Sequence, residues 1–89
     1  MVSNDLVIKF TNTTEQPLTI VIDPPVYDFD LNPQEDLQLK IIDYRSASID
    51  VSDIIDVRYS TPNAINIDIR YNFKLVAVFR GEEQTIWGL

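Results

Sequence analysis

With 89 residues, 45% of them hydrophobic and 24% charged, the chain has the size and composition of one globular domain spanning residues 1–89. It contains no cysteine and no histidine, which excludes a disulfide scaffold, a zinc or copper site of nitrogen and sulfur ligands, and nucleophile systems that use an imidazole base. The net charge of −7 falls entirely within residues 22–56, and a surface of that sign repels the phosphates of nucleic acid and of anionic membranes.

The opening Met1-Val2-Ser3-Asn4-Asp5 has no basic region followed by an apolar run, so no secretory signal is expected there. No apolar stretch approaches the ~20 residues of a membrane span, and the cytoplasm is the expected location. Leu6, Ile8 and Phe10 then alternate with Val7, Lys9 and Thr11. Such a period of two puts successive side chains on opposite faces of a strand. Asn12–Gln16 reads as a turn, and the Asn12-Thr13-Thr14 sequon as turn chemistry. Leu18, Ile20 and Ile22 form a second alternating run, closed by Asp23-Pro24-Pro25. Tyr27, Phe29 and Leu31, separated by Asp28 and Asp30, predict a third strand, and Asn32-Pro33-Gln34 a turn after it. Leu37, Leu39 and Ile41 predict a fourth.

Residues 44–60 lack a clean period. Ile49 and Val51 fit a strand, Val51, Ile54 and Ile55 a helical turn, and Val57 and Tyr59 a further strand. From 65 to 79 every odd position is apolar (Ile65, Ile67, Ile69, Tyr71, Phe73, Leu75, Ala77, Phe79). One strand over 64–80 would be roughly 56 Å long, well beyond the ~30 Å breadth of such a domain. The stretch must turn, and a three-residue loop around Asn72 would keep the parity, so a hairpin is expected there. It would bring Arg70, Lys74 and Arg80 to one outward face. Arg80-Gly81-Glu82 is a turn signal, and Trp87 is read as a plug for the core.

The predicted fold is therefore all-β: a two-layer Greek-key sandwich of seven to nine short strands, with a small closed barrel as the alternative. The residues Phe10-Thr-Asn-Thr-Thr-Glu-Gln-Pro-Leu18, Asp23-Pro24 and Leu31-Asn-Pro33 resemble the first strands of immunoglobulin-like and cupredoxin-like sandwiches. That resemblance implies architecture only, because the copper ligands of cupredoxins are absent.

Carboxylates are the only plentiful reactive groups. Asp28 and Asp30 would sit about 7 Å apart on one strand face, a glycosidase-like spacing, but a wet strand face accounts for the same pattern, and no enzyme activity is expected. Asp50, Asp53 and Asp56 recur every third residue in the irregular segment and are weak candidates for a calcium site. The same three, with Asp28 and Asp30, are the candidate contacts for a basic partner protein. Val21, Ile42, Val76 and Val78 fall on otherwise polar faces and form a candidate apolar interface. The leading functional reading is a non-catalytic interaction module of inhibitor, immunity or accessory type, with an acidic docking face and no cofactor. The alternatives are a self-assembling structural subunit joined by edge strands and the apolar patch, and, third, a calcium-dependent ligand-binding domain.

Overall fold

The structure, a computed structural model, describes residues 4–23, 27–70 and 73–88. Among these, eight strands form two four-stranded sheets packed face to face. The strands are β1 (Leu6–Thr11), β2 (Leu18–Asp23), β3 (Tyr27–Leu31), β4 (Asp36–Ile41), β5 (Ile55–Thr61), β6 (Ala64–Ile69), β7 (Leu75–Phe79) and β8 (Glu82–Trp87). One sheet runs β1-β4-β7-β8 and the other β3-β2-β6-β5. Every neighbouring pair is antiparallel except β2 with β6, which is parallel. The two sheets remain separate and do not close into a barrel.

Period-two alternation builds this arrangement directly. Ile20, Ile22, Phe29, Leu31, Leu37, Leu39, Ile41, Ile67, Ile69, Leu75 and Ala77 all occupy alternate strand positions and all are buried. They form one core cluster between the layers. The Phe29 ring of β3 meets the Phe79 ring of β7 edge-on, 5.5 Å between centroids, so β3 lies across from β7.

The hairpin expected at Asn72 is not formed. Residues 71 and 72 lie outside the described residues, but the strands flanking them belong to different sheets, β6 to one and β7 to the other. Parity is kept for another reason: Ile67 and Ile69 face the core from one layer, Leu75 and Ala77 from the other. The longest extent of the molecule is 38 Å, too short for one straight strand of roughly 56 Å over 64–80. With no hairpin, the cationic trio also separates. Arg70 stands 3.8 Å from Asp56, while the Nε of Arg80 is 2.8 Å from Glu35.

Between β4 and β5 the chain makes two short 3₁₀ turns, Tyr44–Ala47 and Val51–Asp53, so no strand forms at Ile49 and Val51. The Tyr44 hydroxyl donates to the Ile49 carbonyl, its ring packs 6.1 Å from that of Phe73, and Ile54 is wholly buried. Trp87 is 41% exposed and does not plug the core. A bulge in β8 sets Leu75 opposite Trp87 but Val76 opposite Thr85, and the extra residue, Ile86, takes the buried place. Beyond it, a Cβ on Gly88 would stand 3.1 Å from the Lys74 backbone, and its φ of +82° suits glycine alone.

Among the described residues, Asn12 is the buried polar one, 1% exposed. Its Nδ2 donates to the carbonyls of Gln16 at 2.8 Å and Leu31 at 3.0 Å, and its Oδ1 accepts from the backbone N–H and hydroxyl of Thr14. Its backbone N–H donates to Glu35 and its carbonyl accepts from Gln34. One side chain thus ties the β1–β2 loop to the end of β3. Asn12→Ala removes the donor to the Leu31 carbonyl inside the domain and the acceptor of Thr14, and should cost about 2–3 kcal/mol in urea-induced unfolding. Asn12→Asp, unable to donate to either carbonyl, should cost at least as much.

Candidate functional site

The parity that buries Ile20, Ile22, Phe29, Ile67 and Ile69 turns their neighbours outward. On the outer face of the β3-β2-β6-β5 sheet, Asp28 lies beside Val21 and Asp30 beside Thr19. Asp23, Asp68 and Asp56 form one row across β2, β6 and β5. Like charges directly opposite one another disfavour pairing, and two guanidiniums offset this. Arg58 Nε lies 2.9 Å from Asp56 Oδ2 and 3.4 Å from Asp68 Oδ2, and Arg70 approaches Asp56 at 3.8 Å. The hydrogen bond that Arg58 donates to Asp56, then the field of Asp68, raise the Arg58 pKa and hold its charge. Thr19 donates its hydroxyl to Asp30 at 2.7 Å. The side chains of Asp23 and Asp28 are exposed and make no hydrogen bond or ion pair among the described residues. The face therefore carries five carboxylates against two guanidiniums.

The outer face of the other sheet is balanced. Its strands turn Lys9 and Lys40 outward with Asp36 and Glu83, and Lys40 reaches Glu83 at 3.9 Å. Charge is thus segregated by sheet, a feature visible only once strand pairing is known.

Of the five candidate acids, Asp28, Asp30 and Asp56 come together on this face. Asp50 and Asp53 do not: they belong to the exposed 3₁₀ turn before β5, Asp50 at its N-cap. The calcium reading loses its geometry with them. Asp56 is engaged by Arg58, and no three acidic side chains gather to hold a metal ion among the described residues. Asp23 and Asp68 were missed; the alternation beside Ile22 and Ile67 marks each as outward, but only the β2–β6 ladder makes them neighbours.

The apolar quartet is divided. Val76 and Val78 lie on the outer face of β7, in register with Lys40 and Gln38 of β4, and Ile42 follows β4, its N–H donating to Lys74. Val21 lies on the outer face of the opposite sheet, beside Asp28. Parity gives the face of a strand but not the sheet to which the strand belongs, so four residues of one parity class became two unconnected sets. Val76 is itself only 5% exposed.

A cavity of about 280 Å³ opens where β3 faces β7 and β8, lined by Phe29, Ala77, Phe79, Glu82, Glu83 and Gln84. Its floor is apolar and its rim carries two carboxylates and an amide. Among the described residues, no helix is long and apolar enough to cross a membrane. Comparison with protein-family models, with curated proteins and with solved structures finds no match to this chain.

One acid of the candidate segment serves the fold. Glu35 takes two hydrogen bonds from Arg80, at 2.8 and 3.0 Å, and one from the Asn32 N–H at 2.8 Å. Arg80 sits in the left-handed region (φ 53°) with its guanidinium 4.6 Å from the centroid of the Phe79 ring, so the pair holds the β7–β8 turn against the β3–β4 turn. Arg80 foremost, then the Asn32 N–H, lowers the Glu35 pKa. A lowered folded-state pKa stabilises the fold at neutral pH, and the contribution disappears as pH falls through that value. Glu35→Gln should therefore be less stable than the parent at pH 7, and the two should converge below the carboxylate range, as measured by thermal unfolding across pH.

Proposed function

We propose that this domain is a non-catalytic interaction module that docks a basic protein surface through the outer face of the β3-β2-β6-β5 sheet. The observation supporting the reading is the segregation of charge between the two sheets: the strands of one turn out five carboxylates and one guanidinium, with Arg70 just beyond β6, and the strands of the other turn out two charges of each sign. A field of one sign on a flat, laddered surface steers an oppositely charged partner and fixes its orientation more than it adds affinity. Asp23, Asp28 and Asp30 are the exposed contacts; Asp56 and Asp68, already held by Arg58, set the edge of the footprint. Inhibitor, immunity-type or accessory subunits of a basic protein, in the cytoplasm, are the roles that fit such a face.

Titration of isotope-labelled protein with hexalysine tests this. Amide shifts are expected to concentrate at Val21, Asp28, Asp30, Asn66 and Asp68, with affinity falling about tenfold between low and physiological salt. Asp23→Asn/Asp28→Asn/Asp30→Asn should remove most of the response, and Asp50→Asn/Asp53→Asn should leave it. Shifts spread evenly over both sheets, or confined to residues 48–53, would refute the assignment of this face.

A further inference from the structure

Each sheet has two edges, and the four edge strands differ in what they offer. Strand β3 carries Asp28 and Asp30, and β8 carries Glu82 and Glu83, so self-pairing sets like charges together in the central registers. On β8, Glu82 and Gln84 also pair with Phe79 and Ala77 on the inward side yet remain exposed. Inward polar groups of this kind are a device that discourages edge pairing. Strand β1 has Lys9 as its one charge and offers it no complement.

Strand β5 is different. It is seven residues long, and its inward residues Val57 and Tyr59, in register with Ile67 and Ile65, are 51% and 70% exposed. The opposite sheet does not cover them. Its outward residues include Asp56 and Arg58, opposite charges two positions apart.

The backbone of this edge is also correctly turned. The Arg70 N–H donates to the Ile54 carbonyl at 2.9 Å, and the same register sets Asp56 opposite Asp68 and Arg58 opposite Asn66. Hydrogen-bonded pairs alternate along an antiparallel ladder, so Asp56 and Arg58 direct their N–H and C=O groups to β6. Ile55, Val57 and Tyr59 direct theirs to the open edge.

We propose that β5 pairs antiparallel with β5 of a second copy of this chain, about a two-fold axis at Val57. The axis selects itself by charge. Centring the pair on Asp56 or on Arg58 would set two carboxylates or two guanidiniums directly opposite one another. Centring it on Val57 puts Asp56 opposite the second copy's Arg58 on both sides, Val57 opposite Val57, and Ile55 opposite Tyr59. The open groups of Ile55, Val57 and Tyr59 are then satisfied in each chain, and the exposed apolar pair gains a neighbour. Both outer faces point the same way in the resulting continuous sheet. This inference rests on the open backbone edge of β5 and does not require a basic partner, although Asp56 and Arg58 also border the proposed docking footprint.

A short-strand interface lies at the weak end of specific contacts, so the test is sedimentation velocity from about 10 μM to about 1 mM. The parent chain is expected to shift from monomer to dimer within that range. Asp56→Arg and Arg58→Asp should each weaken association about tenfold or more, because each sets like charges opposite in the two flanking pairs. An equimolar mixture of the two variants should associate at least as well as the parent, since every arginine then faces an aspartate across the interface. A parent chain that stays monomeric throughout overturns the proposal. So does a dimer unaffected by either variant, or a mixture that stays monomeric. Thermal unfolding checks the fold of each; if one fails, Val57→Lys places two ammonium groups at the axis from a side chain already half exposed, and persistence of the dimer in that variant would equally overturn it.

Discussion

In the parallel ladder of β2 with β6, Ile20 and Ile22 lie beside Ile65 and Ile67 on the inner side, and Val21 and Asp23 lie beside Asn66 and Asp68 on the outer. Because side chains alternate with a period of two, neither set can be moved without the other: a slip of one residue would bury Asp68 and expose Ile67. The ladder joins strands distant in sequence and is the sole parallel contact among the described strands. The core of this layer and the acidic row across its surface are thus consequences of one register. Selection for a dry interior and for a charged exterior therefore acts on the same hydrogen bonds.

The polar interactions divide into two kinds by burial. Asn12, with every side-chain polar atom matched, is the kind that specifies a unique packing, since its removal takes the donor from the Leu31 carbonyl inside the domain. The ion pairs are exposed: Arg80 with Glu35, and Arg58 with Asp56 and Asp68, all at partly solvated side chains. Water and salt weaken such contacts, so they trim repulsion and orient turns more than they hold the layers together. The strong asymmetry of charge can then persist without threatening the core.

Much of this was legible from alternation alone. Leu6–Phe10, Leu18–Ile22, Tyr27–Leu31, Leu37–Ile41 and the odd positions of 65–69 and 75–79 carry their period in the chain, and strands form at each. Strand β8 was not legible, because Glu82-Glu83-Gln84-Thr85 has no apolar partner to alternate with, and its one core residue arrives through a bulge. The 3₁₀ turn at Val51–Asp53 falls where the spacing of Val51, Ile54 and Ile55 predicts a helical turn, whereas the turn at Tyr44–Ala47 was not legible, because Tyr44 reaches Ile49 and Phe73, contacts that no local pattern encodes. Errors about the strand residues of the site have one source. Alternation says which side of a strand a residue takes, but Val21 and Val76, or Asp23 and Asp68, are separated or united by pairing, and pairing is a property of the whole chain.

The connection of residues 42–54 between β4 and β5 has a bearing on how the domain assembles. It divides the strands into β1–β4 and β5–β8, and each sheet takes two strands from either side: β1 and β4 with β7 and β8, β3 and β2 with β6 and β5. Neither half owns a complete layer. The seams between them, β4 with β7 and β2 with β6, run through the centre of both sheets, and each joins residues more than thirty positions apart. Loop-closure entropy must be overcome at both before either buries much surface, which places this small domain among the slower-folding topologies. The same arrangement means that a chain broken within the connection would leave two fragments, each presenting half of two unfinished sheets, with the other fragment as the complement to both.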